Sequence, residues 1–187
     1  EICACLVGSE MCIRDRNPVV GIDPLGLKFV VEGDGKDFDT AINYLKQDPV
    51  MRKMITEIER SEKATITVSC NSQHDNSFNK WTARIHWDPK SALYCDDTET
   101  NNFDFKNGTQ VPALALGHEI SHAYGYMNSS YKDYAKMANT PDSQYDTAEE
   151  RRVIAGPETH AAKTLKQCIR KSHGGISYHS GGTLSYL

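Results

Sequence analysis

The chain has 187 residues, enough for one domain with a substantial hydrophobic core, and it carries a net charge of −4. The acidic balance argues against a nucleic-acid-binding surface, which normally shows a basic excess, so we expect no nucleic acid partner. No apolar run is long enough to span a membrane, and no charged-then-apolar leader with a cleavage site is visible.

The first residues differ in character from the rest of the chain. Residues 5–16 read CLVGSEMCIRDR, which resembles a translated sequencing-adapter read-through. We therefore expect residues 1–16 to be a non-native leader that contributes nothing to the fold. The alternative is a genuine N-terminal strand or tail. Because the chain begins with Glu1, we also expect it to be a piece of a longer protein.

A turn-rich segment with two X-Pro bonds follows at residues 17–27. Its DPLGL run at residues 23–27 resembles the motif that ends the core of Rhs-type polymorphic toxins, ahead of a variable C-terminal toxin domain. The resemblance implies an Rhs-core-like junction at residues 17–27 and a toxin domain over residues 28–187. An ordinary Pro/Gly linker is the alternative.

Hydrophobic periodicity in the rest of the chain predicts strands early and helices late, which is typical of an α+β fold. The predicted strands are residues 28–32, 64–70 and 81–87, and the predicted helices are residues 38–45, 50–58, 112–127, 146–154 and 157–171. The Gly156-Pro157 pair is expected to separate the last two helices. Residues 90–110 look irregular, residues 128–146 favour a loop or short helix, and the Gly/Ser-rich tail from Ser172 is expected to be loose.

The segment Trp81 to Trp87 has the clearest period-two pattern in the chain. Trp81, Ala83, Ile85 and Trp87 alternate with polar residues, which predicts a strand buried on one face. Such a strand before the next helix is a candidate edge to which an extended peptide substrate adds. A strand covered by another strand is an equal alternative.

Three cysteines remain outside the leader, namely Cys70, Cys95 and Cys168. Their spacing does not match a metal site, so free thiols are the expected state. A Cys70–Cys95 disulfide is the less favoured alternative.

Residues 116–125 read LGHEISHAYG and contain the motif His-Glu-x-x-His. Residues i and i+4 share one face of a helix, so His118 and His122 can hold one zinc ion between them while Glu119 reaches a water beside it. Pro112 suits the first turn of that helix. Two surface histidines on an amphipathic helix are the alternative interpretation.

A zinc site needs a third protein ligand, and three downstream carboxylates are candidates. They are Glu149, Glu150 and Glu158. Each has a structural alternative, because Thr147 and Glu150 form a capping-box pattern and the other two can complement a helix dipole.

The His118–His122 motif followed by EERRVIAGPE at residues 149–158 resembles bacterial effector zinc metallopeptidases, and its Glu-Glu-x-Arg part is similar to clostridial neurotoxin light chains. The resemblance implies a zincin-like fold, in which a small twisted sheet packs on helices. It also implies that Glu150 is the third zinc ligand and Glu149 its supporter.

The implied reaction is peptide hydrolysis with Zn²⁺ as cofactor, in which Glu119 deprotonates water and later protonates the leaving amine. Tyr178 is the first candidate for the oxyanion donor, and His160, Arg170, His173 and His179 are further candidates. We predict a secreted effector or toxin domain that acts on a protein or peptide in a target cell, with a possible cognate immunity protein. The alternatives are a zinc hydrolase of another amide bond and a catalytically silent module that binds a metal or partner.

Overall fold

The computed structural model describes residues 29–33, 35–62, 65–71, 76–95 and 108–185. The predicted leader at residues 1–16 and the predicted junction at residues 17–27 lie outside these residues. Within them, helices and small sheets are mixed, which confirms the α+β prediction. No helix in these residues is both long enough and apolar enough to cross a membrane.

The main sheet has four strands in the order β1-β2-β4-β3. They are β1 (Phe29–Glu32), β2 (Ile66–Cys70), β3 (Ser77–Asn79) and β4 (Arg84–Trp87). β1, β2 and β4 run parallel, and β3 pairs antiparallel with β4 at one edge. Because β3 covers it, β4 is an interior strand, so of the two alternatives the strand covered by another strand is observed and the free substrate edge is not.

The predicted strand at residues 81–87 is shorter in the structure. Residues 80–83 form a turn in which Ala83 has a φ of 49°. The Trp81 side chain is 72% exposed, whereas Trp87 is fully buried and donates from Nε1 to the Pro112 carbonyl at 2.9 Å. The alternating pattern therefore identified the buried face of β4 correctly and overextended it at Trp81.

Two helices connect β1 to β2, as predicted. They are α1 (Gly35–Leu45) and α2 (Pro49–Glu59). Asp48 caps α2, because its Oδ1 accepts hydrogen bonds from the backbone N–H groups of Val50 and Met51 at 2.9 Å. The apolar faces of both helices join the core beside the main sheet.

The helix α3 (Pro112–Asn128) is the central element of the fold. Its side chains from Ala113 to Ala123 are almost all buried, and Leu114, Leu116 and Ile120 have no exposed surface. α3 contacts α1, α2 and the strands β3 and β4 of the main sheet. The helix that carries the motif is therefore held on several sides, which fixes the position of its side chains.

A second, antiparallel sheet occupies segments that the sequence had indicated as irregular or loose. It has the order β6-β5-β9 and consists of β5 (Ser91–Tyr94), β6 (Thr109–Gln110) and β9 (Ile176–His179). The predictions of an irregular segment at residues 90–110 and a loose tail were therefore wrong for these strands. Beyond β9, Ser180 and Thr183 are also buried, because both pack against earlier elements.

The C-terminal helical region begins after a short hairpin. The elements in order are α4 (Tyr131–Asn139), β7 (Pro141–Asp142), β8 (Asp146–Thr147), α5 (Ala148–Val153), a wide π-type turn (Ile154–Glu158) and α6 (Thr159–Thr164). Gly156 leaves helical geometry, with φ −102° and ψ −105°, and the chain kinks there between two helices. The predicted separation of the last two helices at Gly156-Pro157 is therefore confirmed, whereas the helix predicted to reach residue 171 ends earlier.

Cys95 and Cys168 form a disulfide across 73 residues of sequence, with Cα atoms 6.2 Å apart. Cys70 takes no part in this disulfide. The expectation of free thiols at Cys95 and Cys168 was therefore wrong, as was the alternative pairing of Cys95 with Cys70. Sequence spacing carried no signal for this pair, because contact between residues so far apart depends on the second sheet.

Candidate metal centre

His118 and His122 lie one turn apart on α3, and both are only 6% exposed. Their Nε2 atoms are 3.1 Å apart. Gly117 permits this burial, because a Cβ there would lie 2.8 Å from Leu45 Cδ2 of α1. The close approach of α1 to α3 thus fixes the helix that carries both imidazoles.

Glu150, in the first turn of α5, faces both histidines with its two oxygens. Its Oε2 is 3.2 Å from His118 Nε2, and its Oε1 is 3.2 Å from His122 Nε2. Thr147 caps α5 through a hydrogen bond from the Glu150 backbone N–H to its Oγ1 at 3.1 Å, which leaves the carboxylate free of the cap. The capping-box alternative for the Glu150 side chain is therefore not observed.

Glu149 approaches the other nitrogen of His122. Its Oε1 lies 3.1 Å from His122 Nδ1, and Arg152 donates to both Glu149 oxygens and to the Ser121 carbonyl. Gly125 makes room for this guanidinium, since a Cβ there would lie 2.5 Å from Arg152 Nη2. Burial raises the pKa of Glu149, but the hydrogen bonds from Arg152 and His122 outweigh it and the pKa is lowered. Glu149 is thus an ionised acceptor for His122.

Glu158, at the end of the wide turn, lies next to the Nδ1 atom of His118. Its Oε2 lies 2.8 Å from His118 Nδ1, and Arg170 donates to Oε1 at 2.8 Å and to Oε2 at 2.6 Å. Gln110 donates to Oε1 at 2.9 Å. The side chain is 1% exposed, and the charge of Arg170 together with these hydrogen bonds lowers its pKa although burial opposes this.

The Nδ1 partners fix which atoms of the imidazoles point inward. A neutral imidazole that donates from Nδ1 to Glu158 or Glu149 has a lone pair on Nε2. Two such lone pairs and the Glu150 carboxylate then converge, and Glu150 Oε2 is a buried oxygen without a hydrogen-bond partner among the described residues. Acceptors that converge without a donor require a cation. Two imidazoles and a carboxylate are a donor set that suits zinc.

In the metal-free protein, protons take the place of that cation. Burial lowers the pKa of His118, but the close approach of the Glu150 and Glu158 carboxylates and the charge of Glu119 outweigh this and raise the pKa to about 10. The pKa of His122 is raised as well, against burial, by its hydrogen bonds to Glu149 and Glu150. The carboxylates around the two histidines therefore favour a positive charge between them, whether protons or a metal ion carry it.

Glu119 lies beside this convergence, and its carboxylate and the two imidazoles offer atoms that all lie within 4.8 Å of one another. Its Oε1 is 4.0 Å from His118 Nε2, and the residue is 5% exposed. Burial raises its pKa above that of an ordinary glutamate, an effect that the two histidines only partly offset. A buried carboxyl beside a metal site with a raised pKa has the properties of a general base.

Two cavities of about 230 and 340 Å³ meet at His118 and Glu119. The first lies against β5 and the segment after α6, and Arg170 and His173 line it. The second lies against β3 and α5, and Phe78, Tyr134 and Glu150 line it. An extended ligand that occupied both cavities would pass directly over the candidate metal centre.

The comparison with protein families decides the identity of this domain. The model of peptidase family M91, described as effector protein, matches residues 35–164, well over half of the chain. The chain belongs to peptidase family M91. The match contains α3 and α5, and it includes the residues described above except Arg170 and His173. No curated protein and no solved structure matched the chain.

Within this M91 domain, the five predicted oxyanion donors lie in different surroundings. His173 lines both cavities, with its Nε2 3.6 Å from Glu150 Oε2 and its Nδ1 2.5 Å from Asp146 Oδ2. Tyr178 lies on β9 with its ring stacked on Tyr94 at 4.1 Å, and its neighbour Ser177, on the opposite face of the strand, lines the first cavity.

The other three candidates are also accounted for. Arg170 is bound to Glu158, and His160 Nδ1 lies 2.6 Å from Asp48 Oδ2, at the N-terminus of α2. His179 follows Tyr178 on β9 and lines neither cavity. The structure thus brings His173 to the centre, and Tyr178 stays a prediction without geometric support.

Proposed function

We propose that this M91 domain is a zinc-dependent endopeptidase that acts as an effector or toxin on a protein of a target cell. The observation that carries the proposal is the convergence of three side chains: His118 Nε2 and His122 Nε2 lie 3.1 Å apart, and each lies 3.2 Å from one oxygen of Glu150. Distances of this size suit three ligands arranged around one small cation. Membership of a peptidase family supports the reaction class.

In this proposal His118, His122 and Glu150 hold the zinc ion, and Glu149 and Glu158 keep the two imidazoles oriented. Bound zinc supplies Lewis acidity at the scissile carbonyl. Glu119 accepts a proton from the attacking water and returns it to the leaving amine nitrogen. Its burial raises its pKa, which makes the carboxylate a stronger base towards the water and increases the fraction that is protonated when the leaving amine takes up a proton.

We assign the donor to the developing oxyanion to His173 in place of Tyr178. His173 faces both cavities beside Glu150, and in its protonated form it donates from Nε2. Asp146 at Nδ1 holds the ring in this orientation. The substrate backbone is proposed to run between the two cavities, past β3, which is the edge strand next to β4.

The biological setting follows from the effector description and from the DPLGL run at residues 23–27. We propose delivery into a target cell as the C-terminal domain of an Rhs-like protein, with an immunity protein as the partner in the producing cell. Residues 1–16 are proposed to be dispensable. A zincin-like arrangement of the sheet and the motif helix is the proposed fold type.

The proposed activity is tested by profiling new protein N-termini in a target-cell lysate. Wild type is compared with Glu119→Gln, which removes the base and keeps all three proposed ligands, and with Glu57→Gln, a carboxylate on α2 that is remote from both cavities. New termini with wild type and Glu57→Gln, but not with Glu119→Gln, are the expected result. Zinc-loaded wild type that generates no new termini would refute endopeptidase activity and direct the search to other amide bonds.

A further inference from the structure

The hydrogen bonds of Glu158 connect His118 to a segment that has no regular secondary structure. Arg170, which holds both oxygens of Glu158, lies between α6 and β9, where residues 167–175 form neither helix nor strand. Its side chain is 10% exposed, so the Arg170–Glu158 pair is buried directly behind the imidazole. The orientation of His118 therefore depends on where this irregular segment lies.

The disulfide anchors this segment close to Arg170. Cys168, two residues before Arg170, is bonded to Cys95 at the end of β5. The Cys168 backbone N–H donates to the Thr109 carbonyl at 3.3 Å, and the Cys95 N–H donates to the Gly108 carbonyl at 3.2 Å. Gly108 has a φ of +89°, and a Cβ there would lie 3.2 Å from the Cys168 Cβ, so the backbone passes tightly against the disulfide.

Gln110 joins the disulfide region to the same carboxylate. Its Nε2 donates to Glu158 Oε1 at 2.9 Å and to the Cys168 carbonyl at 3.0 Å. Displacement of Cys168 would thus disturb Glu158 through Gln110 as well as through Arg170. A buried carboxylate that loses its charged partner is strongly destabilised, so Glu158 would not keep its position unaided.

We propose that the Cys95–Cys168 disulfide, acting through Arg170, Gln110 and Glu158, holds His118 in its metal-binding orientation, so that reduction of the disulfide weakens the metal centre. Arg170, Gln110 and Glu158 are positioning residues in this arrangement. The inference rests on the proposed function only in taking His118 as a zinc ligand.

Reduction is chemically possible because Cys168 is only half-buried, although Cys95 is buried. A phosphine supplies two electrons to the S–S bond and is converted to its oxide with an oxygen atom from water. The protons of that water go to the two sulfur atoms, which become thiols. Alkylation with iodoacetamide then blocks both thiols, so that they do not bind zinc themselves.

The test measures zinc affinity by competition with a chromogenic chelator, after phosphine and iodoacetamide have been removed. All proteins carry Ser in place of Cys3, Cys5, Cys12 and Cys70, so that Cys95 and Cys168 are the only cysteines present. We expect reduction and alkylation to weaken zinc binding about tenfold, the lower end of the effect of losing a supporting contact at a metal ligand. The Cys95→Ser/Cys168→Ser protein should have the same weakened affinity without treatment and should not change on treatment.

Two further variants connect the effect to the proposed residues. Arg170→Gln should weaken zinc binding about tenfold while the disulfide is intact, and reduction should then add little, because both changes disturb the same contact. Arg84→Gln, a matched control that loses an ion pair with Glu32 in the main sheet, should retain the full effect of reduction. The Co²⁺-substituted protein should show an altered visible absorption spectrum on reduction, which reports the ligand geometry without any activity measurement.

The outcomes separate this inference from the proposed function. If the oxidised wild type binds no zinc, the proposed function fails. If it binds zinc and the affinity changes less than about threefold in the reduced protein and in the folded double serine variant, this inference alone is overturned. Circular dichroism of the zinc-free proteins verifies folding. If the double serine variant is unfolded, the zinc affinities of Arg170→Gln and of the alkylated wild type decide the outcome.

Discussion

His118 Nε2 and His122 Nε2 lie 3.1 Å apart, and each imidazole has its other nitrogen directed at a buried carboxylate. Two ring nitrogens do not remain at hydrogen-bond distance with lone pairs opposed unless a proton or a metal ion lies beside them. The closeness of these two atoms is therefore the most informative single distance in the molecule, and the first two predictions depend on it.

The third ligand is tested by the zinc content of Glu149→Gln, Glu150→Gln and Glu158→Gln. We expect Glu150→Gln to lose the most zinc, because its carboxylate faces both Nε2 atoms at 3.2 Å. The other two carboxylates contact Nδ1 atoms, and their loss should weaken binding by roughly 10–100-fold. Equal zinc content of Glu150→Gln and wild type at limiting zinc would contradict the assignment.

Zinc affinity should rise with pH. The pKa of His118 in the metal-free protein is raised to about 10, so at pH 6–9 zinc must displace a proton that the folded site holds. Each displaced proton makes the affinity rise about tenfold per pH unit below that pKa. Competition titrations at pH 6, 7, 8 and 9 measure this slope, and calorimetry in buffers of different ionisation enthalpy counts the protons. An affinity that is constant over this range would contradict the prediction.

The two tryptophans should differ sharply in their contribution to stability. Trp87 is fully buried, and Trp87→Ala should lower the free energy of unfolding by about 3–5 kcal/mol through lost burial and a cavity. Trp81 is 72% exposed, and Trp81→Ala should change it by about 0.5 kcal/mol or less. Urea unfolding of both variants provides the comparison. A loss of several kcal/mol for Trp81→Ala would restore the original prediction that both residues lie on one buried face.

His173 and Tyr178 are the two candidates for the oxyanion donor, and one variant of each is compared. His173→Gln should lower kcat by about 10²-fold with little change in zinc content, since it faces both cavities and donates only during the reaction. Tyr178→Phe should leave kcat unchanged, because its ring stacks on Tyr94. Once a cleaved peptide has been identified, steady-state kinetics on that peptide measure both. The reverse pattern would restore Tyr178 to the role predicted for it from sequence.

Patterns among neighbouring residues predicted the helices in which those residues lie. The His-Glu-x-x-His motif and the apolar stripe predicted α3, and residues 38–45 and 50–58 predicted α1 and α2 with small errors at their ends. The adjacent carboxylates Glu149 and Glu150 were recognised through a resemblance, and they do lie against the two histidines. In each case neighbouring residues in the chain determine which side chains share a face.

The features that the sequence did not predict depend on contacts between distant segments. The strands β5, β6 and β9 have only two to four residues each, and they form a sheet only because residues from three separate regions come together. Arg170 and Gln110 had no local pattern that connected them to Glu158, which lies 12 and 48 residues away. The disulfide was not predicted for the same reason, because its two cysteines are separated by 73 residues.

The wide turn at Ile154–Glu158 determines the direction in which Glu158 points relative to Glu150. In an uninterrupted α-helix Glu150 and Glu158 would point about 80° apart, but Gly156 leaves helical geometry within this turn and changes that angle. Both side chains can then reach His118 from opposite sides of its ring. Deleting the exposed Ala155 would keep every side chain of the centre and still rotate Glu158 away from the imidazole. The length of this turn is therefore as much a requirement of the site as the identity of any residue in it.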